Sequence, residues 1–210
     1  MFFEDKIKTN KTEFLAKVKT IAKDLGIKPD WLMSAMWLEN QPFNPSAINS
    51  DGCVGLIQFC KITYEGEWGL TQSYLANLSN VEQLEYVKKY ILMQNKYWNN
   101  SGKIKSYLDL HTLIFFPKAM EFKRNQVFET SDLTAKQIVD KNKNIDLNKD
   151  FKITKKEFGK YTEQQFAKSG LSKLEQNKLF EKGIYSTEFK IFVVSLSLIT
   201  TAFLIYKATK

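Results

Sequence analysis

The sequence predicts a mainly α protein. Apolar residues recur at helical spacing in several stretches. Residues that start and stop helices flank those stretches. No long stretch alternates apolar and polar residues as a strand would. The chain has 210 residues, 43% hydrophobic and 26% charged, with four prolines and nine glycines. That supports a packed core and excludes a wholly disordered, collagen-like or disulfide-scaffold protein. There is no internal repeat.

The first helix is expected to open at Asn10, with Glu13 three residues later, and to carry Phe14, Leu15, Val18, Ile21, Ala22 and Leu25. Gly26 stops it. Pro29 or Asp30 starts the second, and Pro42 and Pro45 end it. Residues 44–60 begin as loop and turn apolar. Ser79 and Glu82 form a capping box for a helix with Leu84, Val87 and Ile91 on one face. Residues 99–102 make a turn. Residues 104–116 read as a further apolar helix ending at Pro117. A lysine-rich segment follows, and the boundary is set between Thr130 and Asp140. The resulting division is 1–135, 136–188 and 189–207.

The net charge of +8 suggests nucleic acid, but its distribution argues against it. Residues 1–140 carry +1 and residues 141–210 carry +7. Arg124 is the single arginine among 31 basic residues, whereas base and phosphate reading favours arginine. No nucleic-acid partner is expected. Cys53 and Cys60 do not make a disulfide framework and are read as two small buried thiols in a reducing compartment.

The helix Asp30–Glu39 reads DWLMSAMWLE and is apolar almost all round, as a buried central helix is. At about 100° per residue, Glu39 shares a face with Leu32, Ala35 and Met36. Burial and the negative end of the helix dipole both disfavour its ionised form. A carboxyl that keeps its proton is what a general acid requires. Spacing alone leaves a second reading open, with Glu39 emerging into solvent. The loop after it, NPSAINSDGCVGLIQF, returns at once with Asn, Ser and Gln side chains suited to a sugar.

At these positions the sequence resembles the lysozyme-like lytic transglycosylases, particularly phage-type ones. Glu39-Asn40-Gln41-Pro42-Phe43-Asn44-Pro45-Ser46-Ala47-Ile48-Asn49 matches their catalytic Glu and F-x-P-x-A-x-N stretch. Gly52-Cys53-Val54-Gly55-Leu56-Ile57-Gln58-Phe59 matches their glycine-glutamine stretch. The resemblance runs over roughly residues 10–130 and includes His111 and Phe116-Pro117-Lys118-Ala119. Asn40 stands where Ser is usual, Cys53 where Ala is common, and His111 where Tyr is frequent.

The resemblance implies a lysozyme-like fold that cleaves the β-1,4 bond between N-acetylmuramic acid and N-acetylglucosamine in peptidoglycan. It implies Glu39 as the single catalytic acid and base, with no cofactor for catalysis. Gln58, Asn49, Asn40, Phe59 and His111 are the substrate-binding candidates. Each has a plainer role: Gln58 bonding the loop, Asn49 a turn, Phe59 (like Phe115) core packing, and His111 a satisfied buried residue. Asp51, Glu65 and Glu67 are candidate second carboxylates for a hydrolytic lysozyme.

Residues 146–157, DLNKDFKITKKE, place oxygen ligands at calcium-loop positions 1 (Asp146), 3 (Asn148), 5 (Asp150), 9 (Thr154) and 12 (Glu157). Position 7 is Lys152, whose backbone carbonyl would serve. The spacing resembles an EF-hand loop and implies a structural Ca²⁺. Phe151 replaces the usual Gly at position 6, where a left-handed backbone costs about 1 kcal/mol or more. The competing reading is a turn and a Thr154–Glu157 capping box.

Residues 191–206 form an uncharged run of 16 between Lys190 and Lys207. It is close to the roughly 20 residues of a span and is read as a membrane-inserting tail, or as a helix coated by other virion proteins. The N-terminus has no apolar signal-peptide core. A virion- or membrane-associated wall enzyme, with peptidoglycan strands as partner, is the leading expectation. A non-catalytic virion protein that retains the fold is the alternative.

Overall fold

The computed structural model describes residues 1–100 and 102–180. Among them the protein is mainly helical, with isolated bridges and no strand. The helices are α1 (Lys11–Leu25), α2 (Pro29–Glu39), α3 (Gln72–Asn77), α4 (Asn80–Tyr97), α5 (Tyr107–Phe115), α6 (Ala135–Lys141), α7 (Lys155–Ala167) and α8 (Lys173–Leu179). A π-helical turn spans Ile62–Glu67 and a 3₁₀ turn spans Pro117–Glu121.

The helix boundaries follow local chemistry. α2 takes Pro29 in its first turn, where a missing N–H costs nothing. The Ser79–Glu82 capping box opens α4, and α5 starts behind Ser106, whose side chain accepts from the Asp109 N–H. Asn10 departs from its expected role. Its side chain does not cap α1 but donates to Asn80 Oδ1 at 3.2 Å, tying α1 to α4.

α2 lies at the centre, packed on α1 and α5, while α4 closes the group against the same two helices. Trp31 through Trp37 are all buried. A second core forms around Ala119, Phe128, Ile138, Val139, Ile145, Ile153 and Phe158. The segment after residue 135 joins both cores: Phe158 sits in the second, whereas Phe166 and Leu179 reach the first. Burying each such side chain contributes about 1.5–3 kcal/mol, enough to hold α7 against α5.

The free-thiol expectation is overturned, because Cys53 and Cys60 form a disulfide. The cause is the turn between them. Val54 and Phe59 exchange both backbone hydrogen bonds, at 2.9 and 2.8 Å. The flanking cysteines thereby face each other across the turn, with Cα atoms 4.1 Å apart. Cys60 is exposed rather than buried. The apolar run at 189–207 lies outside the described residues. Among the described residues no helix is long and apolar enough to cross a membrane.

Candidate active site and metal loop

Glu39 ends α2, one turn beyond the buried Met36, and its side chain is 21% exposed. It is neither enclosed nor free in solvent. Its Oε1 lies 3.3 Å from Nε2 of His111 on α5, a side chain only 4% exposed. The other ring nitrogen, Nδ1, lies 3.2 Å from the Thr162 hydroxyl on α7. That hydroxyl donates to the Phe158 carbonyl at 2.8 Å. The imidazole is held between Tyr107, at 5.8 Å between ring centroids, and Phe158, at 4.7 Å.

Glu39's charge reaches three phenols on other helices: Tyr90 on α4, Tyr107 on α5 and Tyr161 on α7. Burial, then the repulsion of that charge, pushes all three above the ordinary tyrosine value.

The loop after Glu39 is braced from within. Asn40 is buried, and its amide donates to the carbonyls of Gly55 (2.9 Å) and Asn44. Asn49 Oδ1 accepts from the Asp51 and Cys53 N–H groups at 2.9 and 3.0 Å, a side-chain turn. Gln58 directs its amide nitrogen to the Gly55 carbonyl at 2.9 Å and the Ala47 carbonyl at 3.4 Å. Phe59 is 1% exposed and packs edge-on against Trp68 and Tyr90. Phe115 stacks on Phe158 at 4.8 Å. Of the five substrate candidates, the structure brings His111 to Glu39 and assigns Asn40, Asn49 and the Gln58 amide nitrogen to bracing the loop. Phe59 lies in the core, out of reach of a substrate. Asp51 and Glu65 are exposed and face Lys141 and Lys61, at 3.5 and 3.4 Å; Glu67 is exposed too.

Two residues that shape the site escaped the sequence reading. Gln83 on α4 is fully buried and laces the loop: its Oε1 accepts from Leu56 N–H at 2.7 Å, and its Nε2 donates to Pro45 and Leu75 carbonyls. A glutamine on the apolar face behind the capping box was its only signal. Thr162 was signalled only as a β-branched hydroxyl inside a helix, where bonding back to the carbonyl four residues earlier is common.

Residues 146–157 run from the loop after α6 into the first turn of α7. Asp146 Oδ2 accepts from Phe151 N–H at 2.9 Å, and Asp150 N–H points to both Asp146 and Asn148. Phe151 does take the left-handed conformation, φ 63°, with its ring exposed. Ile153 is fully buried, and its carbonyl accepts from Phe128 N–H at 2.7 Å. One ligand oxygen from each of Asp146, Asp150 and Glu157 comes together within 4.8 Å.

The two readings of Glu157 turn out to be compatible. Its Oε2 closes the capping box with Thr154. Its Oε1 is buried without a hydrogen-bond partner among the described residues. A buried carboxylate oxygen with no partner, facing two further carboxylates, fits a cation.

Comparison of the chain with protein-family models, curated proteins and solved structures finds no match.

Proposed function

We propose that the protein is a peptidoglycan lytic transglycosylase with Glu39 as its single acid and base. The observation that carries the reading is Glu39 itself: one partly exposed carboxyl at the end of an otherwise buried helix, touching a buried imidazole. The motif that follows it folds into a braced loop beside that helix.

Glu39 protonates the glycosidic oxygen as the C1–O bond breaks. The substrate's own N-acetyl oxygen covers the cationic carbon, so a second protein carboxylate is not needed. Glu39 then takes the proton of the 6-hydroxyl as that oxygen bonds to C1, closing an anhydro ring. One acid serves both oxygens only if it is held close to each in turn. Gln58 retains an amide oxygen for a sugar hydroxyl. The Cys53–Cys60 bond favours an oxidising compartment, where the cell wall lies.

Asp146, Asn148, Asp150, Thr154, Glu157 and the Lys152 carbonyl would hold a calcium ion. It would supply charge neutralisation to the Asp146, Asp150 and Glu157 carboxylates at the start of α7, and no catalytic chemistry.

The test is mass spectrometry of peptidoglycan digested by the full chain beside a Glu39→Gln control. Anhydro-muropeptides lost in the control are expected. Reducing-end products would replace the reading with a hydrolytic lysozyme. No products from a folded, calcium-loaded chain would replace it with a non-catalytic virion or wall-binding protein.

A further inference from the structure

The Glu39–His111–Thr162 chain of contacts crosses three helices, and its hydrogens can be assigned. Thr162 has one hydroxyl proton, and it goes to the Phe158 carbonyl at 2.8 Å. Towards His111 the same oxygen can therefore only accept. The 3.2 Å contact then requires a hydrogen on Nδ1 in both charge states of the ring. Nε2 is left as the nitrogen that gains and loses a proton, and it faces Glu39 Oε1 at 3.3 Å. With no proton between them, two lone pairs would meet in a site where the His111 side chain is 4% exposed. With one proton, the contact is a hydrogen bond whichever atom carries it, and a charge-assisted one when the ring does.

We infer that His111 is the positioning residue of the acid: Glu39 and His111 hold one proton jointly, and Thr162 locks the ring so that Nε2 is its second holder.

This rests on the transglycosylase reading for its purpose. The resting pair carries one proton. Cleavage moves it to the departing 4-oxygen and leaves a carboxylate against a neutral imidazole. That state is short of a proton and has a lone pair on each side of the contact to accept one. Attack by the 6-oxygen on C1 releases a proton to Glu39, and the pair holds one again. No water or other reactant is consumed.

The other titratable groups reached by Glu39's charge do not compete. Among the described residues they are Tyr90 on α4, Tyr107 on α5 and Tyr161 on α7, phenols that are neutral near pH 7 at their ordinary value, which burial raises further. The ring itself is clamped by Tyr107 and Phe158, so it cannot rotate to exchange its nitrogens without opening α5 from α7.

His111 is the only histidine in the chain, so its ring nitrogens give a single set of signals. The experiment is a pH titration of the ¹⁵N-labelled full chain in detergent, read by long-range proton–nitrogen correlation. Nδ1 is expected to stay protonated throughout, with only Nε2 titrating. In Glu39→Gln, which removes the other holder of the proton, the Nε2 resonance is expected to move while Nδ1 stays protonated. Thr162→Val is expected to release the lock and populate the other tautomer, while Thr162→Ser restores the native pattern. A deprotonated Nδ1 at high pH in the native chain would overturn the inference, as would an Nε2 resonance unmoved by Glu39→Gln. The readout needs no turnover. Missing anhydro products would therefore overturn the proposed activity while leaving the proton assignment standing.

Discussion

The Phe158 ring lies 4.7 Å from that of His111, and Phe158 follows Glu157 directly in sequence. Two neighbours at the start of α7 thus face different structures. Glu157 turns an oxygen without a partner among the described residues towards Asp146 and Asp150, and Phe158 packs against the imidazole that touches Glu39. Four residues on, Thr162 bonds both to Phe158 and to that imidazole. The first turn of α7 therefore carries the mechanical link between the candidate metal loop and the candidate acid. Gly159 allows it: an added Cβ would come within 3.2 Å of Leu108 on α5.

Calcium should raise the melting temperature of the native chain. Ligand at one hundred times its dissociation constant adds about 2.7 kcal/mol. Glu157→Gln should abolish that gain. Without calcium the variant should melt no lower than native. Its amide oxygen can keep the Thr154 cap, and its nitrogen can donate to Asp146 or Asp150, ending the orphaned position. Scanning calorimetry with and without calcium, beside a calorimetric titration, decides this. An equal calcium shift in both proteins would remove the site.

Gly55→Ala should cost about 2 kcal/mol or more. Gly55 has φ +88°, where a side chain strains the backbone. Its Cβ would also strike the Gln83 amide, which cannot withdraw without releasing Leu56, Pro45 and Leu75. Gly66→Ala is the control, since its Cβ would meet only Ile62 at 4.0 Å. Thermal unfolding should separate the two, and hydrogen exchange at the Leu56 amide should accelerate in the first alone.

The regular helices were legible because their signals are local. Gly26 and the Ser79–Glu82 box each act within one turn. The acid was legible for a similar reason, as a charged residue closing an apolar helix. The partners that define its environment were not. His111 lies 72 positions after Glu39 and Thr162 a further 51, and no periodicity predicts that α5 and α7 bring them together. The disulfide escaped for want of a strand signal: its bridge is a single residue pair, too short to alternate. Gln83 escaped because its work is to satisfy backbone groups of a distant loop, a need that exists only once the loop has folded.

Tyr107 ties the stability of the fold to alkaline pH. It is fully buried, and its hydroxyl has no partner among the described residues. Tyr107→Phe removes an unpaired buried group and should stabilise the fold by about 1 kcal/mol. Burial first, and Glu39's charge second, hold Tyr107 and Tyr90 above the ordinary value of 10. In the folded state they keep their protons where the unfolded chain has begun to lose them. Their contribution is complete below pH 10 and is lost as pH climbs towards the folded values. Each phenol adds a decline of about 1.4 kcal/mol per pH unit in that window. Chemical denaturation at a series of pH values should give the variant a higher plateau and an alkaline slope shallower by one such increment. A variant less stable than native at neutral pH would mean that the hydroxyl has a bond the fold depends on.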